Sequence, residues 1–121
     1  MTLKVDVVEN TSGGAVTLTN QSAAKAWGNY TNSGTFTTND SFNVSSTNDL
    51  AVGALTPSFT NSFDSANFAT ATAGEKSASY HCILHGYSNP TASTTNVVTA
   101  SATNSALDVE LVSFISCGDL A

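Results

Sequence analysis

The chain has no arginine, and its only fixed cations are Lys4, Lys25 and Lys76. Proteins that grip nucleic acid displace counterions from phosphates with clustered basic side chains. Three scattered lysines against nine carboxylates, a net charge of −6, provide no such cluster, so no nucleic-acid partner is expected. The same shortage disfavours docking on an anionic membrane surface. No run approaches the roughly 20 apolar residues that span a bilayer, so no membrane insertion is expected. Residues 1–10 alternate in polarity and include Lys4, Asp6 and Glu9, unlike a signal peptide, and cytoplasmic synthesis is expected.

Cysteine is also scarce. Cys82 and Cys117 are too few for a disulfide framework. They read as buried, reduced thiols behaving as small hydrophobes, with a single bridge between them as the open alternative. Helical periodicity is missing too. No segment keeps an apolar residue every 3.6 positions, which excludes a long amphipathic helix.

Only 10% of the 121 residues are charged, less than half the usual share of about 25%. Thr, Ser and Asn supply the polar surface instead. Thr favours strands, while Ser and Asn favour turns and local backbone bonds. Aromatic residues recur from Trp27 to Phe114, which argues against a disordered polar tract. Strand candidates fall at 3–8, 15–19, 25–30, around Phe36, 41–45, 52–59 with a break at Pro57, 68–72, 79–85, 96–102 and 107–116. Turn signals, Thr47-Asn48-Asp49 among them, separate them about every 8–12 residues, the spacing of a sandwich or barrel. In 107–116, Leu107, Val109, Leu111, Ser113 and Ile115 are expected on one face, with Val112 and Phe114 on the other. The expected fold is all-β, a β-sandwich or jelly-roll-like domain at 23–121 with a short N-terminal β arm at 1–22.

Lys25-Ala26-Trp27-Gly28-Asn29-Tyr30, followed by Gly34-Thr35 and then Ser41-Phe42-Asn43-Val44-Ser45-Ser46, forms a two-block motif. It resembles a module of marine bacteriophages, notably those of cyanobacteria, that reads Lys-Ala-Trp-Val-Asn-Phe, Gly-Thr, Ser-Phe-Asn-Val-Ser-Ser. Ala66-Asn67-Phe68 matches a later element of that module, and Gly118-Asp119-Leu120 resembles its ending. The likeness covers most of 25–121. It implies a β-rich virion protein, tail-fibre-like or a tail adaptor, that assembles as oligomers, often trimers, with copies of itself and other virion proteins. Two departures stand out: Gly28 replaces the usual Val, and the usual Arg between the blocks is missing.

Within the motif, Trp27, Tyr30, Phe42 and Val44 read as core residues, since Trp and Phe each bury on the order of 150–250 Å². An exposed Trp27 stacking on a sugar is the alternative. Asn43 is expected to bond backbone at a strand end. The loop His85-Gly86-Tyr87-Ser88-Asn89-Pro90 combines an aromatic ring with polar groups, so His85, Tyr87 and Asn89 are the candidates for binding a host glycan. A plain turn built on Gly86 and Pro90 is the simpler reading.

Catalysis finds little support. There is no Gly-x-Ser-x-Gly elbow. Asp40, Asp49, Asp64 and Asp108 do not announce an opposed glycosidase pair. On one extended strand His81 and His85 stand about 13 Å apart, too far to share a metal whose bonds to nitrogen are about 2 Å. The expectation is therefore a non-enzymatic virion protein without cofactor or metal. Capsid decoration or a head fibre is the alternative location, and host-glycan recognition the alternative role.

Overall fold

A computed structural model describes Ser12 and residues 24–75, 83–85 (backbone only), 89–101, 103 and 105–121. The expected N-terminal arm at 1–22 therefore lies, Ser12 apart, outside the described residues, as does Cys82. The described residues form eight strands: β1 Ala24–Thr31, β2 Thr37–Phe42, β3 Val44–Ala51, β4 Ala54–Phe59, β5 Ala69–Glu75, β6 Ile83–His85, β7 Val97–Ala100 and β8 Leu111–Cys117. They make two four-stranded antiparallel sheets, ordered β2-β1-β8-β5 and β3-β4-β7-β6. The protein is thus all-β, in an arrangement compatible with a small β-sandwich.

Side-chain alternation builds the core. In β1, Ala26, Gly28 and Tyr30 turn inward; in β8, Val112, Phe114 and Ser116 do the same. They meet Leu55 and Phe59 of β4, Val97 of β7, and Phe63, Phe68 and Val109 from the connections. Tyr30 lies between Phe36 and Phe114, with ring centroids at 5.5 and 6.2 Å. Phe59, Phe63 and Phe68 form a second aromatic group, Phe63 and Phe68 stacked at 4.3 Å. Tyr30 is a core residue as expected, and Val44 packs against the core from its margin.

Gly28 now has a physical reason. A Cβ there would collide with the phenol end of Tyr30 and come within 2.9 Å of Phe114. The space a larger side chain would need at this position is occupied by the Tyr30 ring.

Several strand boundaries differ from expectation. The run 41–45 is two strands, because Asn43 adopts φ 56° and passes the chain from one sheet to the other. Thr47, Asn48 and Asp49, expected as a turn, are inside β3. The break expected at Pro57 falls instead at Val52-Gly53, where Gly53 has φ 69° and β3 turns into β4. Pro57 is buried within β4, an interior strand. It is tolerated because the ladder to β7 spans only Ala54 and Leu55, beyond which Pro57 contributes just a carbonyl, accepting from Thr95 N at 3.1 Å. The last strand starts at Leu111, so the expected face of 107–116 breaks: Val109 is in the core while Leu111, Ser113 and Ile115 point out.

Candidate interaction face

The outer surface of the sheet β2-β1-β8-β5 gathers the side chains that the core leaves out. Register sets them in rows. Phe42, Trp27, Ile115 and Ala71 stand opposite one another across all four strands. Asp40, Asn29, Ser113 and Ala73 form the next row, and Thr37, Thr31, Leu111 and Glu75 the third. Phe42 is 53% exposed, Ile115 43% and Leu111 39%. Trp27 is half-buried.

Trp27 and Phe42 are therefore not core residues, contrary to expectation. The reason is parity. Tyr30 and Ala26 fill the inward positions of β1, so Trp27, an odd number of residues away, faces out, and Phe42 follows it as its cross-strand partner. The core takes its aromatic mass from Tyr30, Phe59, Phe63, Phe68 and Phe114 instead.

Two shallow hollows lie on the same face. One, about 240 Å³, is lined by Asn29, Ala73, Gly74, Glu75, Leu111 and Ser113. The other, about 160 Å³, lies over Ala71, Thr72, Ala73, Ser113, Phe114 and Ile115. Both arise because the alanines of β5 are short beside Leu111 and Ile115. Polar groups on the β2–β1 side are tied to each other. Asn39 donates to Asn29 Oδ1 at 2.8 Å and to Thr31 at 3.1 Å, and Asn29 donates to Ser113 at 2.7 Å. This fixes the amides and leaves the face with Lys25, Asp40 and Glu75 as its outward charges among the described residues of those strands.

The β2–β3 corner holds this face against the other sheet. Asn43 Nδ2 donates to Lys25 O at 2.9 Å and Asn61 O at 3.0 Å, while its Oδ1 accepts from Asn61 N at 2.7 Å. The backbone bond expected of Asn43 is thus present, threefold. At the other end Asp108 Oδ1 accepts from Gly53 N at 2.7 Å and from Asn32 Nδ2 at 3.3 Å, joining the β3–β4 turn to the residue following β1. Among the candidate carboxylates, Asp108 is a brace and Asp40 accepts from Ser41 N at 2.8 Å.

The glycan candidates are not brought together within the described residues. Tyr87 lies outside them, and of His85 only the backbone, in β6, is described. Asn89 is exposed with φ 50°, a turn conformation that Asn tolerates. His81 also lies outside. Cys117 is half-buried on the outer face of β8 and unpaired among the described residues. No group of three or more His, Cys, Asp or Glu side chains converges as for a metal among the described residues. No family model, curated protein or solved structure matches the chain.

Sequence reasoning set Leu111, Ser113 and Ile115 on one face and Val112 and Phe114 on the other, as found, but did not tell which face is outward. That alternation becomes a signal for the face once the inward set is known.

Proposed function

We propose that this protein is a structural component of a bacteriophage virion, tail-fibre-like or a tail adaptor, and that it works by oligomeric assembly rather than catalysis. The observation that carries the reading is the apolar row Phe42, Trp27 and Ile115, exposed on one sheet face. Contiguous apolar surface rimmed by polar residues marks an interaction site. The resemblance of Lys25 to Tyr30 with Ser41 to Ser46 to the phage module supports the phage assignment, and these residues build the face and the corner behind it. Oligomers, trimers among them, are the assemblies the resemblance implies. A jelly-roll-like closure draws support from β1 and β8 lying side by side.

Immunogold electron microscopy of purified phage particles with antibody against the chain tests the reading. Gold at tail or fibre ends is the expected result. Gold spread over the head moves the protein to capsid decoration, and particles without label overturn the virion reading. Glycan recognition through His85, Tyr87 and Asn89 is checked separately. On this reading Tyr87→Ala leaves adsorption to host cells unchanged, and lost adsorption with intact assembly transfers the role to that loop.

A further inference from the structure

We infer that the exposed sheet face is a self-complementary interface, in which Phe42 of one copy of this chain seats over Ala71 of another and Trp27 over Ile115. The inference rests on the assembly reading above and names its surface and partner. The face has two unlike halves. On β2 and β1 stand the rings of Phe42 and Trp27; on β8 and β5 lie the hollows of about 240 and 160 Å³ over Ala71 and Ala73. The smaller hollow, over Ala71, Thr72, Ala73, Ser113, Phe114 and Ile115, is an open, mostly apolar depression against which a ring can lie.

Rows give the register of the contact. A second copy turned over about an axis along the strands, between β1 and β8, brings its β2–β1 half onto the β8–β5 half of the first. Phe42 then stands over Ala71 and Trp27 over Ile115, because these four residues share one row. Asp40 falls over Ala73 and Glu75 over Thr37, so no like charges meet. Turning the copy about the perpendicular axis would set rings against rings and leave the hollows facing each other empty, an arrangement that forfeits the contacts. This ring-to-hollow contact closes after two copies, each covering the other's face about the two-fold axis.

Size sets the strength. Four strands about 4.8 Å apart and seven residues rising about 3.4 Å each give a footprint of roughly 450 Å². Two such faces bring together about 900 Å², below the 1,200–2,000 Å² of most stable complexes, so the contact belongs with weak, transient association.

Sedimentation equilibrium of the full chain across the micromolar range, with Phe42→Ala, Ala71→Arg and Leu50→Ala, tests the inference. The wild type associates reversibly. Phe42→Ala and Ala71→Arg each weaken association at least tenfold with unchanged melting temperature, because both side chains are exposed in the single chain. Leu50→Ala, exposed on β3 of the other sheet, leaves association unchanged. The double variant Phe42→Cys/Ala71→Cys, oxidised, gives covalent dimers beyond the level of either single variant. A wild type that stays monomeric, or association insensitive to both face variants, overturns the interface. Failure here with gold still on the particle sinks the self-contact and leaves the virion reading standing, while label missing from the particle with self-association intact does the reverse.

Discussion

At the scale of single residues, two side chains tie one sheet to the other. Asn43 combines a left-handed backbone with three hydrogen bonds at the sheet-to-sheet corner. Replacement by Gly keeps the backbone and loses the bonds, an expected cost of about 1–3 kcal/mol. Replacement by Ala adds the steric penalty of φ > 0, about 1 kcal/mol more. Urea unfolding of the two variants checks the order, and equal midpoints would remove the backbone term. Tyr30 is fully buried and accepts a hydrogen bond from Thr47 at 3.0 Å. Burial pushes its phenol above 10.0, the Thr47 bond opposing. The neutral form is therefore favoured in the folded state. Its contribution is complete below the unfolded value of 10.0 and is lost as pH rises from there through the folded value. Tyr30→Phe should cost about 1 kcal/mol at neutral pH and flatten the alkaline decline. Unfolding midpoints followed from pH 8 to 11.5 for both proteins read the difference, and parallel declines would count against the burial argument. The importance of Asn43 was legible in the sequence, because Asn between two strand-like runs suggests a special backbone or a local bond. The outward turn of Trp27 was not, since size alone favours burial and only the tertiary parity of β1 decides the face.

At the scale of elements, short segments hold what the long strands leave open. The run Gly118-Asp119-Leu120-Ala121 pairs with 62–64: Phe63 bridges Leu120, Asp64 N donates to Asp119 O at 2.9 Å, and Ala121 N donates to Ser62 O at 3.0 Å. Leu120 packs on the core margin, and Gly118 lets the chain lie against Phe63 and Phe68, where a Cβ would come within 2.8 Å of the Phe68 Cβ. Leu120→Ala should cost about 1–2 kcal/mol, toward the low end for a large-to-small change because Leu120 is only partly buried. Gly118→Val should cost more, by forcing the Phe63–Phe68 stack apart. Thermal melts of both variants test the ranking, and a neutral Gly118→Val would mean the tail does not lie on the aromatic group. Several strands were legible from alternation and turn residues, β1 and β7 nearly whole and β5 and β8 in part. The misplaced boundaries share one cause. Local turn chemistry at Thr47-Asn48-Asp49 and Pro57 yielded to pairing with β4 and β3, whereas Asn43 and Gly53 turn the chain with one and two residues.

At the scale of the whole molecule, scarcity of charge is the organising fact. Few ion pairs can form from three lysines, and stability rests on burial and neutral hydrogen bonds. Assembly follows different physics. Each copy carries a net charge of −6, so copies repel at long range while an apolar face draws them together at short range. Screening falls from about 30 Å at 0.01 M salt to about 3 Å at 1 M, while hydrophobic contact survives. Raising salt should therefore tighten self-association several-fold and change the unfolding midpoint of the single chain little. Sedimentation equilibrium and denaturant titration at the two salt levels separate these effects. Weaker association at high salt would mean that attraction between opposite charges, with Lys25 as the described cation nearest the face, joins the copies, and the apolar row would then lose its role.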